Sequence, residues 1–128
     1  MNPSVNLLIQ NRDGKYLLQM RDGIEGICHP LKWNFFGGRC RSDESPIYAA
    51  KREIHEELNM NLPVDFFTLE GEIHTSDETV YVARLNKVVT WSDLLLGEGA
   101  GLGFFFVHEI TKLDITPNTK KIVEKFLL

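Results

Sequence analysis

Four glutamates lie close together in one stretch of this sequence, and three of them are spaced to share one face of a helix. They are Glu44, Glu53, Glu56 and Glu57, within residues 37–60. Carboxylates at i,i+3 and i,i+4 positions repel, and each such pair costs an isolated helix about 0.2 to 0.5 kcal/mol. A hard divalent cation would remove this cost, because Mg²⁺ and Mn²⁺ prefer oxygen ligands. The spacing therefore indicates a metal site.

The alternative interpretation is a solvated acidic face balanced by basic residues, which is common in surface helices. Only Arg52 has i,i+4 spacing to an acid of this face, Glu56. Most of the negative charge therefore has no basic partner on the helix, and we favour the metal site.

The helix that carries these glutamates is predicted to begin at Ser45-Pro46 and to end at Asn59. Serine is a favoured N-cap, proline suits the first helical position, and asparagine tolerates the left-handed backbone that ends many helices. At about 100° per residue, the carboxylates adjoin an apolar stripe but remain distinct from it. That stripe consists of Ile47, Ile54 and Leu58, and His55 is expected on the solvent side.

Apolar runs and turn residues predict several strands around this helix. Residues 5–10 and 15–20 are expected to form a hairpin with Asp13-Gly14 as its turn, and Trp33 to Phe36 a buried strand stopped by Gly37-Gly38. Two antiparallel strands are expected to turn at Asp77-Glu78. A glycine-rich loop over 96–103, a buried strand over 104–110 and a closing helix from Thr116-Pro117 are expected to follow. This order is typical of an α+β domain with helices covering a sheet.

Length and composition are consistent with one domain spanning residues 1–128, because 128 residues with 43% hydrophobic content suffice for a single core. The net charge of -4 argues against a protein that coats a nucleic-acid polymer. No basic leader and no apolar run of membrane-spanning length is present, so we expect a soluble cytoplasmic protein. Cys28 and Cys40 lack metal-site or redox spacing and are expected to be free thiols.

The positions of the acids define a longer motif. Glu44 follows Gly38 by six positions, Arg52-Glu53 come eight and nine positions later, and Glu56-Glu57 complete it, with apolar Ile54 and Met60. This pattern resembles the Nudix box of the Nudix hydrolases, over Gly38 to Met60. It departs from the family at Asn59, where glycine is usual, and Phe36 stands where many relatives have proline.

The resemblance implies a small MutT-like member with the Nudix fold, a mixed β-sheet between helices (α/β/α). It also implies that Glu53, Glu56 and Glu57 bind Mg²⁺ or Mn²⁺. Arg52 would hold a catalytic glutamate in place, Glu44 would complete the catalytic set, and Glu53 is our first choice for the base that takes a proton from water.

Residues near the box complete the predicted site. Relatives of this size often supply one more carboxylate from a late loop, and Glu98 is the candidate, although a glutamate in such a loop is often only solvated. Gly37, Gly38 and Arg39 are predicted to contact substrate phosphates, because a guanidinium suits phosphate. The alternative for Arg39 is an ordinary surface arginine.

The resemblance implies hydrolysis of the pyrophosphate bond in a nucleoside diphosphate linked to a further group, with a (d)NTP as the favoured substrate. Nucleotide-sugar or ADP-ribose hydrolysis is the alternative. A catalytically silent nucleotide-binding module and a plain interaction domain are the non-enzymatic rivals. A silent copy would be free to lose one of the charged residues that define the motif, whereas all five are present: Glu44, Arg52, Glu53, Glu56 and Glu57. The partner is expected to be a small phosphorylated nucleotide rather than a nucleic-acid polymer or a membrane, and the protein a monomer or homodimer.

Overall fold

A mixed sheet of six strands forms the centre of the computed structural model, which describes residues 2–21, 31–94 and 101–128. The strands are β1 (Ser4–Leu8), β2 (Tyr16–Met20), β3 (Trp33–Arg39), β4 (Phe67–His74), β5 (Thr79–Leu85) and β6 (Gly101–Phe105), in the spatial order β4-β5-β1-β3-β2-β6. β1 and β5 are parallel, and the other neighbours are antiparallel. The predicted mixed sheet is confirmed.

Helices cover both faces of this sheet. They are α1 (Pro46–Leu58), α2 (Val107–Ile110) and α3 (Pro117–Ile122), and α3 continues as a π-helical segment over Val123–Leu127. Short 3₁₀ turns lie at Val64–Phe66 and Trp91–Asp93. The apolar stripe of α1 packs on one face of the sheet, while α2 and α3 pack on the other. In the described ranges, no helix has the length and apolar character needed to cross a membrane.

The helix α1 has the predicted ends. The Ser45 hydroxyl accepts a hydrogen bond from the Tyr48 backbone N–H at 3.3 Å, and Asn59 ends the helix in the left-handed region at φ 55°. Ile54 and Leu58 are buried, whereas His55 faces solvent. Capping and apolar spacing thus position the acidic face of α1 beside the sheet.

The predicted hairpin is wrong in its pairing. Asn11 and Gly14 close a turn and Gln10 bridges to Tyr16, but the two strands then separate because β3 lies between them. β3 can occupy this central position because its side chains are apolar on both faces, with Phe35 in one core and Phe36 in the other.

Two predicted strand ends also differ from the structure. Gly37 and Gly38 do not stop β3, which continues to Arg39 because both glycines pair with β1. The strand predicted over 104–110 ends at Phe105, and α2 follows because the Glu109 side chain accepts a hydrogen bond from the Phe106 backbone N–H at 2.8 Å. The turn before β5 and the closing helix from Thr116 are confirmed.

Candidate active site

Arg52 is the centre of the charged cluster. Its Nε and Nη2 donate to the two oxygens of Glu44, both at 2.8 Å. Nη1 donates to Glu53 at 2.9 Å and to Glu56 at 3.4 Å, and Nη2 also donates to the Arg39 carbonyl at 3.1 Å. These bonds raise the pKa of Arg52, the pair with Glu44 most of all. One guanidinium therefore fixes α1 to the loop that follows β3.

Glu44 holds that loop in shape. Its Oε1 accepts a hydrogen bond from the Arg41 backbone N–H at 2.9 Å, in addition to the two bonds from Arg52. The hydrogen bonds with Arg52 lower the pKa of Glu44 to about 2. Asp43, within the loop, has φ 67°, a backbone conformation that Asp tolerates better than most residues. Glu44 is thus an ionised anchor rather than a proton carrier at neutral pH.

Glu53 lies under α1 against β3. It is only 8% exposed, and its carboxylate fills the space beside Gly38, where a Cβ atom would lie 2.3 Å from Glu53 Oε1. Burial raises the pKa of Glu53, while Arg52 opposes that rise. A carboxylate with a raised pKa accepts a proton more readily at neutral pH, which suits the predicted base.

Glu57 and Glu56 take different environments. Glu57 is 7% exposed and lies within hydrogen-bonding reach of Glu53. Glu56 is more exposed and pairs with Arg41 Nη2 at 3.4 Å as well as with Arg52. The structure therefore brings Glu53 and Glu57 together and turns Glu56 outward, with Arg41 as a second cation that helical spacing did not reveal.

The donor set fits a hard divalent cation. Two buried carboxyl groups in contact need either a shared proton or a cation between them. Within the described ranges, however, no three His, Cys, Asp or Glu side chains converge closely enough to hold a metal ion as they stand. Metal binding by Glu53, Glu56 and Glu57 therefore stays a prediction, and it would require Glu56 to rotate inward. Glu98 lies outside the described residues.

The predicted phosphate contacts occupy three different environments. Gly37 lies against β1, where a Cβ would come within 1.9 Å of the Val5 carbonyl oxygen. Gly38 makes room for Glu53. Arg39 donates to the Asn2 carbonyl at 3.0 Å and pairs with Glu78 at 3.5 Å. The two glycines thus have packing roles, and substrate contact by Gly37, Gly38 or Arg39 stays a prediction.

Sequence reasoning missed two contributors to the site. Arg41 reaches Glu56 across 15 positions of sequence, a separation with no periodic signal. Gly38 also has a packing role that its sequence position does not indicate, because it makes room for the carboxylate of Glu53. Cys40 is a buried free thiol, as predicted, and burial raises its pKa; Cys28 lies outside the described residues.

Comparison with protein-family models matches residues 1–126 to the NUDIX domain. A search of curated protein sequences gives no significant match. Similar solved structures include the MutT NUDIX hydrolase from Burkholderia pseudomallei, at 22% identity and TM-score 0.75, covering 98% of this chain and 97% of that one.

Two further structures extend this likeness. The MutT protein from Methanosarcina mazei Go1 has 22% identity and TM-score 0.73, covering 94% of this chain and 87% of that one. The E. coli dihydroneopterin triphosphate pyrophosphohydrolase has 17% identity and TM-score 0.70, and the match covers 97% of this chain and 93% of that one. At these identities the likeness establishes a common fold.

Proposed function

This chain belongs to the Nudix family of pyrophosphohydrolases, and on that premise we propose that it catalyses metal-dependent hydrolysis of the pyrophosphate bond in a nucleoside diphosphate linked to a further group. The observation that carries the proposal is the position of Glu53. Its carboxylate is buried against Gly38, held by Arg52 at 2.9 Å and placed beside Glu57.

Three carboxylates, Glu53, Glu56 and Glu57, would hold Mg²⁺ or Mn²⁺, with Glu98 as a further proposed ligand. The ion supplies positive charge that neutralises the pyrophosphate and makes nearby water more acidic. Glu56 is suited to join this set because its present partners, Arg41 and Arg52, are 3.4 Å away and its side chain is 49% exposed.

The protein residues divide the remaining work. Glu53 accepts a proton from the attacking water, and Arg52 fixes the orientation of that carboxylate. Glu44 keeps Arg52 in place through the paired hydrogen bonds. Arg39 offers positive charge to a substrate phosphate from the end of β3. This division assigns Glu44 and Arg52 to positioning and Glu53 to proton transfer.

We propose a nucleoside triphosphate or deoxynucleoside triphosphate as the substrate. The support comes from the small size of the chain and from the structural neighbours, which include MutT proteins and a triphosphate pyrophosphohydrolase. The products would be a nucleoside monophosphate and pyrophosphate. Nucleotide sugars and ADP-ribose are the alternative substrates.

The experiment is a substrate panel with Mg²⁺ and detection of phosphorylated products. dGTP, ADP-ribose and a nucleotide sugar are compared, and turnover of at least one is expected. The Glu53→Gln variant should lose this activity by at least about 100-fold, because a positioned base contributes about 10² to 10⁴ in rate. No turnover by the wild-type protein across the panel would contradict the proposal and favour a silent nucleotide-binding module.

A second measurement tests the metal site without turnover. Mg²⁺ or Mn²⁺ should raise the unfolding temperature of the wild-type protein in a saturable manner, because a ligand that binds only the folded state stabilises it. Glu57→Gln should abolish that rise. The control Glu70→Gln changes a carboxylate on the edge strand β4, three places from β3 in the sheet, that pairs with Arg84, and this variant should retain the rise.

A further inference from the structure

The two edge strands of the sheet, β4 and β6, differ in how they are protected. Among the described residues, β4 pairs only with β5 and β6 pairs only with β2. The outer side of an edge strand presents backbone N–H and C=O groups to which another strand can add. Proteins usually prevent such pairing with charged side chains, bulges or covering segments.

The edge strand β4 has all three kinds of protection. A bulge interrupts its pairing with β5, and the strand itself carries two glutamates. Lysines from the C-terminal segment also occupy its backbone, because Lys125 donates to the Glu72 carbonyl at 2.6 Å and Lys121 donates to the His74 carbonyl at 3.4 Å. A strand added to β4 would have to displace these lysines and follow the bulge.

The edge strand β6 lacks these features in the part of the chain that the structure describes. Its five residues include no charged residue and no proline, they pair regularly with β2, and each of them is only partly buried. Beside the strand, Trp91 is 58% exposed and lies edge-on to Phe104 at a centroid distance of 4.9 Å. This edge is therefore regular, apolar and suited to pairing with another strand.

The strand β6 is complementary to a second copy of itself. In an antiparallel pair with a two-fold axis at Gly103, Gly101 lies opposite Phe105 of the second copy, and Leu102 lies opposite Phe104. No described atom lies within 4 Å of a Cβ built on Gly101, so the space that a phenylalanine ring needs is present. An aromatic ring stabilises a glycine on a neighbouring strand by covering it.

The same register is also favourable on the other face and in its charge. Leu102 and Phe104 already pack at the margin of the core beside α1, and each would gain an apolar neighbour from the second copy. Because β6 contains no charged residue, no like charges face each other across the axis.

We propose that this chain forms a two-fold homodimer in which the β6 strands of two copies pair antiparallel about Gly103. The two sheets then join edge to edge into one continuous sheet. Each copy uses its unprotected edge and β4 stays protected at the far ends, so assembly stops at the dimer. The helix α1 packs over β1, β3, β4 and β5, away from this interface. Hydrolysis by each subunit therefore does not depend on the dimer, and the inference goes beyond the proposed function.

The first test measures the mass of the wild-type protein by sedimentation velocity over roughly 1 µM to 1 mM, the range in which small interfaces dissociate. The mass should rise from one chain to two and stop there. A wild-type protein that stays monomeric at every concentration would overturn the proposal, and so would growth beyond the dimer.

The variant Gly101→Lys tests the register. The backbone of Gly101 is not in the left-handed region and the space beside it is open, so the unfolding temperature of the monomer should not change. In the dimer the lysine would be buried against Phe105 of the second copy, so the dissociation constant should rise at least about tenfold. The matched control Leu69→Lys places a lysine at a half-exposed position of β4 and should dimerise as the wild type does. The opposite result, loss of the dimer in Leu69→Lys alone, would refute the assignment to β6.

Hydrogen exchange of the wild-type protein locates the interface without any substitution. Amide protons of residues 101–105 should exchange more slowly at high than at low protein concentration, because pairing adds hydrogen bonds to the outer side of β6. Residues 67–74 of β4 should exchange at the same rate at both concentrations. Concentration-dependent protection in β4 instead of β6 would overturn the proposal. Both measurements are made without substrate or metal, so their outcome is independent of the proposed hydrolysis.

Discussion

The guanidinium of Arg52 and the carboxylate of Glu44 are joined by two parallel hydrogen bonds of 2.8 Å, from Nε to Oε2 and from Nη2 to Oε1. This fork geometry fixes the plane of the guanidinium, which a single contact would not. The remaining N–H groups of Arg52 then point at Glu53, Glu56 and the Arg39 carbonyl. The orientation of the predicted base thus depends on a residue that precedes the helix.

Replacing Arg52 by lysine keeps the charge but removes the fork. Lysine cannot bind both oxygens of Glu44 and also reach Glu53 in a fixed plane. We expect kcat to fall about 100-fold, as for a small displacement of a catalytic group. Steady-state kinetics checks this. Arg84→Lys, at another arginine paired with a glutamate, is the control and should leave kcat unchanged.

The adjacent glycines of β3 should respond differently to alanine. In Gly38→Ala, the new methyl group meets the flexible end of Glu53, which can move aside, so activity should fall by about 100-fold with little loss of stability. In Gly37→Ala, the methyl group meets the Val5 carbonyl oxygen of the backbone, so the free energy of unfolding should fall by at least about 2 kcal/mol. Urea unfolding and kinetics together separate the two outcomes, and full activity of Gly38→Ala would argue against the placement of Glu53.

Acid should remove the stabilisation from Glu44. Its pKa is about 2 in the folded protein against an ordinary value of 4.5, so its contribution is fully present above pH 4.5 and is lost as the pH falls toward 2. We expect this contribution to the free energy of unfolding to be about 1 to 2 kcal/mol, because water near the surface screens the pair of Glu44 and Arg52. Measured by urea unfolding, the difference between wild type and Glu44→Gln should shrink from pH 7 to pH 3. A difference that does not change with pH would contradict this origin.

The departure from the Nudix box at Asn59 should be harmless. Asn59 already adopts the left-handed backbone at φ 55° that glycine adopts freely. Asn59→Gly should therefore change the free energy of unfolding by no more than about 1 kcal/mol and leave kcat unaltered. A large loss of activity would show that the Asn59 side chain itself contributes to the site.

Local signals explain what could be predicted from the sequence. The ends of α1 follow from Ser45, Pro46 and Asn59, which act on their own neighbours, and its acidic face follows from helical periodicity. The pairing of β1 and β2 with β3 depends on residues far apart in sequence, so the hairpin prediction chose the nearest partner and was wrong.

The site shows the same division between local and distant contacts. The pairing of Arg52 with Glu56 was readable as i,i+4 spacing, whereas the contact of Arg41 with Glu56 arises only after the loop folds back onto α1.

The central position of β3 has a consequence for motion. The first part of its backbone pairs with β2 and the second part with β1, so its hydrogen-bonded amide protons should be among the slowest of the domain to exchange with solvent. The loop over 40–45 is held mainly by side-chain contacts and can open at lower cost. Any rearrangement that brings Glu56 inward must therefore come from the loop and α1, while the strand stays fixed.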